Sequence, residues 1–132
     1  FPEPDGATSG DADLYASVVS SGSYGAPTLV AGVNSAQEDG QPYIQRDGLE
    51  LYFFSTRPGG FGAQDIWRAT RARTEDVWST PVNLGESVNS AAAETRPSMS
   101  WDGTSLFFGS TRTTNESNIY VSTRSTTAAS RR

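Results

Sequence analysis

The side chains in this 132-residue chain that could do chemistry are nearly all carboxylates and guanidiniums: fifteen Asp and Glu, ten Arg, and no Lys, His or Cys. Without His or Cys, the usual zinc sites and the Ser-His and Cys-His nucleophile pairs cannot be assembled from this chain. Carboxylate-only mechanisms, oxygen-ligated calcium and non-covalent recognition remain. Glu38 and Glu94 read as an equivalent pair, as do Arg57 and Arg112, and all four fall at strand ends that return to one region. Two carboxylates can cleave a glycoside. The plainer reading is an ion-pair network, repeated because the structural unit is repeated. An unpaired buried guanidinium is costly, so Arg57 and Arg112 are expected to be buried, with Glu38, Glu94 or Asp65 as the nearest acids. No residue is assigned a catalytic role and none a metal, and no cofactor is expected; calcium at clustered Asp and Glu loops is the alternative kept open.

The aromatic residues divide in two. Trp67 and Trp78 occupy repeated positions and read as packing residues, whereas Trp101 faces Arg46 in the alignment and sits at a turn. An exposed indole there could stack on a sugar ring or anchor a protein partner. Asn115-Glu116-Ser117 has the form of a glycosylation sequon.

These residues are positioned by a duplication. Residues 42–57, PYIQRDGLELYFFSTR, align without a gap against 97–112, PSMSWDGTSLFFGSTR, and the shared Pro, Asp, Gly, Leu, Phe, Ser, Thr and Arg make up half of the positions. The register extends through QDIWRATR and SNIYVSTR, and DADLYAS, beginning at Asp11, is a third copy of that element. Upstream, Val33-Asn34-Ser35 answers Val88-Asn89-Ser90. Each repeat reads as four strands and no helix. The Asp-Gly pairs at 47–48 and 102–103 mark hairpin turns between short apolar runs. Leu51-Tyr52-Phe53-Phe54 suits a strand buried on both faces, a third strand starts at Ile66 or Ile119, and a fourth is expected over 78–84. The most helix-friendly stretch, 90–95, is one turn at most.

The pattern Pro-x-x-x-x-Asp-Gly-x-x-Leu-[YF]-F-x-Ser-x-Arg, followed by a Gly-rich loop and [DN]-Ile-[WY], resembles the TolB-type, WD-like β-propeller repeat. The resemblance implies an all-β chain of propeller blades, each a four-stranded antiparallel meander A-B-C-D, with the propeller incomplete in one chain. Residues 1–10 are then a leader or linker, 11–41 a partial blade of strands C and D, 42–84 a first blade, 85–124 a second blade lacking its outer strand, and 125–132 a tail. Beginning at Phe1, the chain reads as processed or excised. Arg46 and Trp101 depart from the Pro usual before Asp-Gly, and Asn118 from the usual Asp, so the second repeat is expected to be tied less tightly there.

In such a meander the D-to-A connections and B-to-C turns share one face, which would collect Glu38, Asp39, Phe61, Glu94 and Arg96 as binding candidates, with Trp101 on the opposite face. Arg57, Arg112 and Asp65 are expected to form the structural network. The resemblance implies a periplasmic or secreted protein, and the lack of catalytic apparatus favours a non-catalytic module binding protein or glycan through that loop face. The alternative is a propeller portion of a larger peptidase or polysaccharide-processing enzyme. Two blades leave open edges, so the expected partner is a second copy of the chain, forming a homo-oligomer. A net charge of −5 and a pI near 4.6 argue against nucleic acid, and no apolar run reaches membrane-spanning length.

Overall fold

The computed structural model describes residues 12–125, so the expected leader 1–10 and nearly all of the tail lie outside the described residues. Among the described residues there is no helix, and every paired strand is antiparallel. Strands β5 (Asp39–Ile44), β6 (Glu50–Ser55), β7 (Asp65–Thr70) and β8 (Val82–Asn83) form a four-stranded meander in chain order. Its repeat, β9 (Glu94–Met99), β10 (Ser105–Ser110) and β11 (Asn118–Thr123), forms three strands. Ahead of both, β1 (Tyr15–Ala16) pairs with β4 (Thr28–Leu29), and β2 (Val19–Ser20) pairs with β3 (Ser23–Tyr24). None of these sheets closes on itself.

The stacking of the sheets explains why β6 is apolar on both faces. Tyr52 and Phe54 point into one core with Ile66, Val88, Met99, Leu106 and Phe108. Leu51 and Phe53 point the other way, into a second core with Leu14, Val33, Trp67 and Ala69. Successive side chains of a strand face opposite sides, so one strand serves both layers, and each large apolar side chain buried contributes roughly 1.5–3 kcal/mol. The four-stranded sheet therefore sits between the β1/β4 pair and the three-stranded sheet. Both inner strands carry the same irregularity: Gln41 at φ 51° and Arg96 at φ 54° are equivalent residues where the register to β6 and β10 shifts. Such an extra residue bends the strand, and the Pro that follows each, Pro42 or Pro97, fits a position that withdraws a donor from the ladder.

The structure changes the strand assignments in two places. The fourth strand expected over 78–84 is only Val82–Asn83. Ser79 still bonds to Thr70 through backbone and side chain, but Pro81 has no N–H to continue the ladder. The β2–β3 hairpin was not expected; its two-residue loop, Ser21 at φ 51° and Gly22 at φ 79°, is the left-handed pair that matches strand twist. The Asp-Gly turns are wider than two residues: Gly48 N–H donates to the Gln45 carbonyl and Gly103 N–H to that of Ser100, each Gly at φ +77°.

Candidate functional site

The repeated charges form two copies of one lock. In the first, the buried Asp39 carboxylate accepts from Ser35 N–H at 2.8 Å, Ser55 Oγ at 2.6 Å and Arg57 at 2.8 Å. Arg57 also donates to Ser55 Oγ at 2.9 Å and to the Val33 carbonyl at 2.7 Å, and lies over the Phe53 and Trp67 rings. In the second, Glu94 accepts from Ser90 N–H at 2.9 Å, Ser110 Oγ at 2.8 Å and Arg112 at 3.4 Å. Arg112 bonds the Val88 carbonyl and Ser110 Oγ and lies over Phe108 and Tyr120. The guanidinium thus ties the end of the second strand to the connection entering the first, and the carboxylate satisfies that connection's own donors.

The equivalence of Glu38 and Glu94 is corrected by this geometry. The partner of Glu94 is Asp39, while Glu38 is exposed and its backbone bonds Thr56 as that of Ala93 bonds Thr111. The constant offset of 55 residues from Val33/Val88 to Arg57/Arg112 gives the same pairing. Asp65 also stands apart from both locks. It is buried and closes its own loop, its Oδ2 accepting from Phe61 N–H at 2.6 Å and Asn83 at 3.4 Å. Phe61 itself is half exposed, and Arg96 is exposed, its N–H held by Gln41 Oε1 at 2.9 Å. In the second repeat Asn118 is exposed and reaches only Thr114 Oγ1 at 3.5 Å, a looser version of the Asp65 cap.

A second repeated device joins neighbouring sheets. The Asn89 side-chain amide accepts from Ile66 N–H at 2.7 Å and donates to the Ile66 carbonyl at 3.0 Å, and Asn34 does the same to Leu14 at 2.7 and 3.0 Å. An amide side chain offers one acceptor and two donors, so it can replace a missing ladder partner on both sides of one residue. Val-Asn-Ser is therefore a three-part unit in which Val supplies the carbonyl for Arg, Asn clamps the preceding sheet and Ser caps the carboxylate.

Asp39 and Glu94 are engaged in the locks, while Glu38, Phe61 and Arg96 stay exposed on the loop face; the polar cleft lies elsewhere, at the two Asp-Gly turns. A cleft of about 360 Å³ is lined there by Arg46, Asp47, Glu50, Arg68, Arg71, Trp101, Asp102 and Arg124, among others. Glu50 holds two arginines, Arg68 of its own sheet at 2.8 Å and Arg124 from the neighbouring sheet at 2.9 and 3.0 Å. Burial works to raise the Glu50 pKa, but bonding and charge from Arg124 and Arg68 outweigh it and hold the carboxyl below its ordinary value. Beside it, burial first and then the Glu50 charge push Tyr52 up to about 12. Arg71 donates to the Gly48 carbonyl at 2.8 Å, stacks on Trp78 at 4.0 Å, and matches Arg124, which donates to the Gly103 carbonyl at 2.6 Å. Arg46 lies 4.4 Å over the Trp101 indole, which is 72% exposed. Asp102, below its ordinary pKa through bonds from Thr104 and Ser100, stays ionised at the rim. Neither Arg46 nor Arg71 makes an ion pair among the described residues. The lining carries four arginines against three carboxylates, a local positive excess in a chain of net charge −5.

Among the described residues, no three acidic side chains come together in a way that could hold a metal. Comparison of the chain with protein families, with curated proteins and with solved structures finds no match.

Proposed function

We infer that this chain is a non-catalytic binding module whose repeats are β-propeller blades, and that its cleft at the Asp-Gly turns takes an acidic saccharide. The repeated meander, the repeated lock and the stacking of consecutive sheets support the blade reading. The observation that carries the ligand is the exposed Trp101 indole beside arginines without acidic partners. A sugar ring presents C–H groups that pack on an indole face. A uronate carboxylate is matched by the planar fork of Arg, whose paired N–H groups bind it at short range. The cleft is of ligand size and combines aromatic with convergent polar groups. Placement outside the cytoplasm follows from the resemblance of the repeat pattern and belongs to the same proposal.

The test is titration with oligogalacturonate and with a neutral galacto-oligosaccharide of equal length, read by tryptophan fluorescence at low and high salt. The acidic sugar should shift the emission, more weakly as salt rises, and the neutral one should bind at least tenfold more weakly. Trp101→Ala should abolish the response and Arg46→Ala weaken binding about tenfold, one charge-assisted contact being worth roughly 1.5–3 kcal/mol. Failure of the acidic sugar to bind, or unchanged affinity in Trp101→Ala, removes the saccharide reading.

A further inference from the structure

The clamps and the strands they hold do not match in number. Among the described residues three strands occupy the same repeat position, β1, β7 and β11, and the sequence carries two Val-Asn-Ser units, which clamp Leu14 just ahead of β1 and Ile66 on β7. Ile119 on β11 is the third equivalent residue. It is 75% exposed where Ile66 is fully buried, and among the described residues no strand follows β11 in its sheet, while β7 is followed by β8 and β1 pairs with β4. Phe107 and Val121 are exposed on the same three-stranded sheet, although Tyr52, the counterpart of Phe107, is buried.

The opposite end of the stack has the complementary deficit. Ile44 is 48% exposed where its counterpart Met99 is 8% exposed. Met99 is covered by Tyr52 and its neighbours from the preceding sheet, whereas among the described residues the β1/β4 pair brings no strand equivalent to β6. An apolar groove of about 470 Å³ follows, lined by Tyr15, Leu29, Val30, Ile44, Leu51 and Trp78 among others. One end of the chain thus presents what covers a β7-like strand, and the other presents a β7-like strand uncovered. The interface between the two full repeats within the chain is the template for joining them.

We propose that a second copy of this chain completes β11 by strand exchange: the copy's β4 and Val33-Asn34-Ser35 unit leave their own β1 and dock on β11. This rests on reading the repeats as successive blades. The register is fixed by the two joints already present. Leu14 is clamped where Tyr15 pairs with Leu29 and Ala16 with Thr28, and Ile66 is clamped where Trp67 pairs with Asn83 and Arg68 with Val82. At the new joint Asn34 of the second copy holds Ile119, Tyr120 pairs with Leu29, and Val121 with Thr28. β1 is a placeholder: Leu14 fills the position that Ile119 takes on assembly, so the exchange keeps the two-residue ladder and the clamp and adds burial of Ile119, Phe107 and Val121. In each copy residues 12–16 are released, since they and β11 cannot both occupy the same place.

Because the chain has no native Cys, paired cysteines test the exchange directly. The mass of the wild type in solution should be a discrete multiple of 14.1 kDa. Oxidised T28C/V121C should give covalent multimers on a non-reducing gel. Oxidised A16C/T28C, which ties β4 to its own β1, should be monomeric and return to the wild-type mass on reduction. Ile119→Asp should also be monomeric. A wild-type monomer at every concentration overturns the proposal, and so does an assembly indifferent to the A16C/T28C lock. Asn89→Ala separates this from the blade reading, because it breaks a joint inside one chain. Strong destabilisation by Asn89→Ala with no assembly sinks the exchange alone, and unchanged stability removes the stacked-blade reading with it.

Discussion

Replacing Arg57 by Ala should be the most damaging single change in the two locks, and the structure sets its size relative to Arg112→Ala. Asp39 has no exposure, and its donors are Ser35, Ser55 and Arg57. Removing the guanidinium leaves a buried carboxylate held by neutral donors, the situation that costs about 3–5 kcal/mol when one member of a buried pair is deleted. The Val33 carbonyl loses its donor as well, and the Phe53 and Trp67 rings lose a cation, each a smaller loss. Arg112 makes the same kinds of contact, but its side chain is 28% exposed against 13% for Arg57, and its distance to Glu94 is 3.4 Å against 2.8 Å for Arg57 to Asp39. Water reaches that pair more readily, so Arg112→Ala should cost about 1–3 kcal/mol. Denaturant unfolding of both variants and of R57A/D39A gives the comparison. The double variant should be less destabilised than the sum of its singles by roughly 1–3 kcal/mol, since each single strands the partner of the other. With typical domain stability of about 5–15 kcal/mol, R57A can approach complete unfolding. Arg57→Lys, which keeps the charge and loses the fork, should then lie between wild type and R57A. A cost for R57A within about 0.5 kcal/mol of zero, or below that of R112A, would refute the reasoning.

Two further outcomes follow from the same geometry. Glu50 is held below its ordinary value, so it binds fewer protons folded than unfolded and stabilises the fold above the unfolded Glu pKa of about 4.3. That contribution is lost as pH falls through the lower folded value. The stability difference between wild type and Glu50→Gln should be flat from neutrality to about pH 5 and shrink below it, and a difference that grows on acidification contradicts the assignment. Gly62→Ala places a Cβ 2.2 Å from the Ala92 carbonyl, a backbone atom that cannot rotate away, and should cost roughly 1–3 kcal/mol or more by forcing the 58–64 loop off its neighbour. Gly85→Ala, at φ +82° in open space, should cost about 1 kcal/mol from backbone conformation alone; calorimetric midpoints that reverse this order would place the loop contact elsewhere.

Much of the all-β layout was legible because its signals are periodic and local. The apolar run at 51–54 and the Asp-Gly turns fall at the same places in each repeat, and β6, β7, β10 and β11 stand where the pattern puts them. The arginines of the locks were legible for the same reason. Their acids were half legible: matching Glu38 to Glu94 by residue type overrode the fixed offset, which leads to Asp39. Asp and Glu differ by one methylene, and both locks accept it because each carboxylate meets one Ser N–H, one Ser hydroxyl at the strand end and one Arg. The Asn clamps could be seen as repeated but not as clamps, because their partners are backbone groups of Leu14 and Ile66, which leave no mark on the sequence. Glu50, Arg68 and Arg124 were invisible as a group: Arg124 lies 74 residues from Glu50, and neither Glu50 nor Arg68 has a counterpart in the other repeat.

That last failure points to where the two repeats divide their labour. Residues identical or nearly so in both copies, Arg57 with Arg112, Asn34 with Asn89, Asp39 with Glu94, all bond to the scaffold and face groups that recur with them. The cleft joins both kinds: Asp47 with Asp102 and Arg71 with Arg124 are shared by the copies, whereas Trp101 stands opposite Arg46, Glu50 is answered by Ser105 and Arg68 by Val121. A ligand with one end unlike the other cannot be oriented by two equal half-sites, because each half would bind either end equally well. Divergence supplies the asymmetry. Trp101 offers a stacking surface on one turn, Arg46 a cation on the other, and Glu50 fixes the relative position of the two by holding Arg68 from its own sheet and Arg124 from the next. On this argument, restoring the repeat should cost recognition before it costs folding. Trp101→Arg should lower the unfolding free energy by no more than about 1 kcal/mol, the worth of the exposed cation–π contact with Arg46, while removing the stacking surface on which the ring of an acidic sugar would rest.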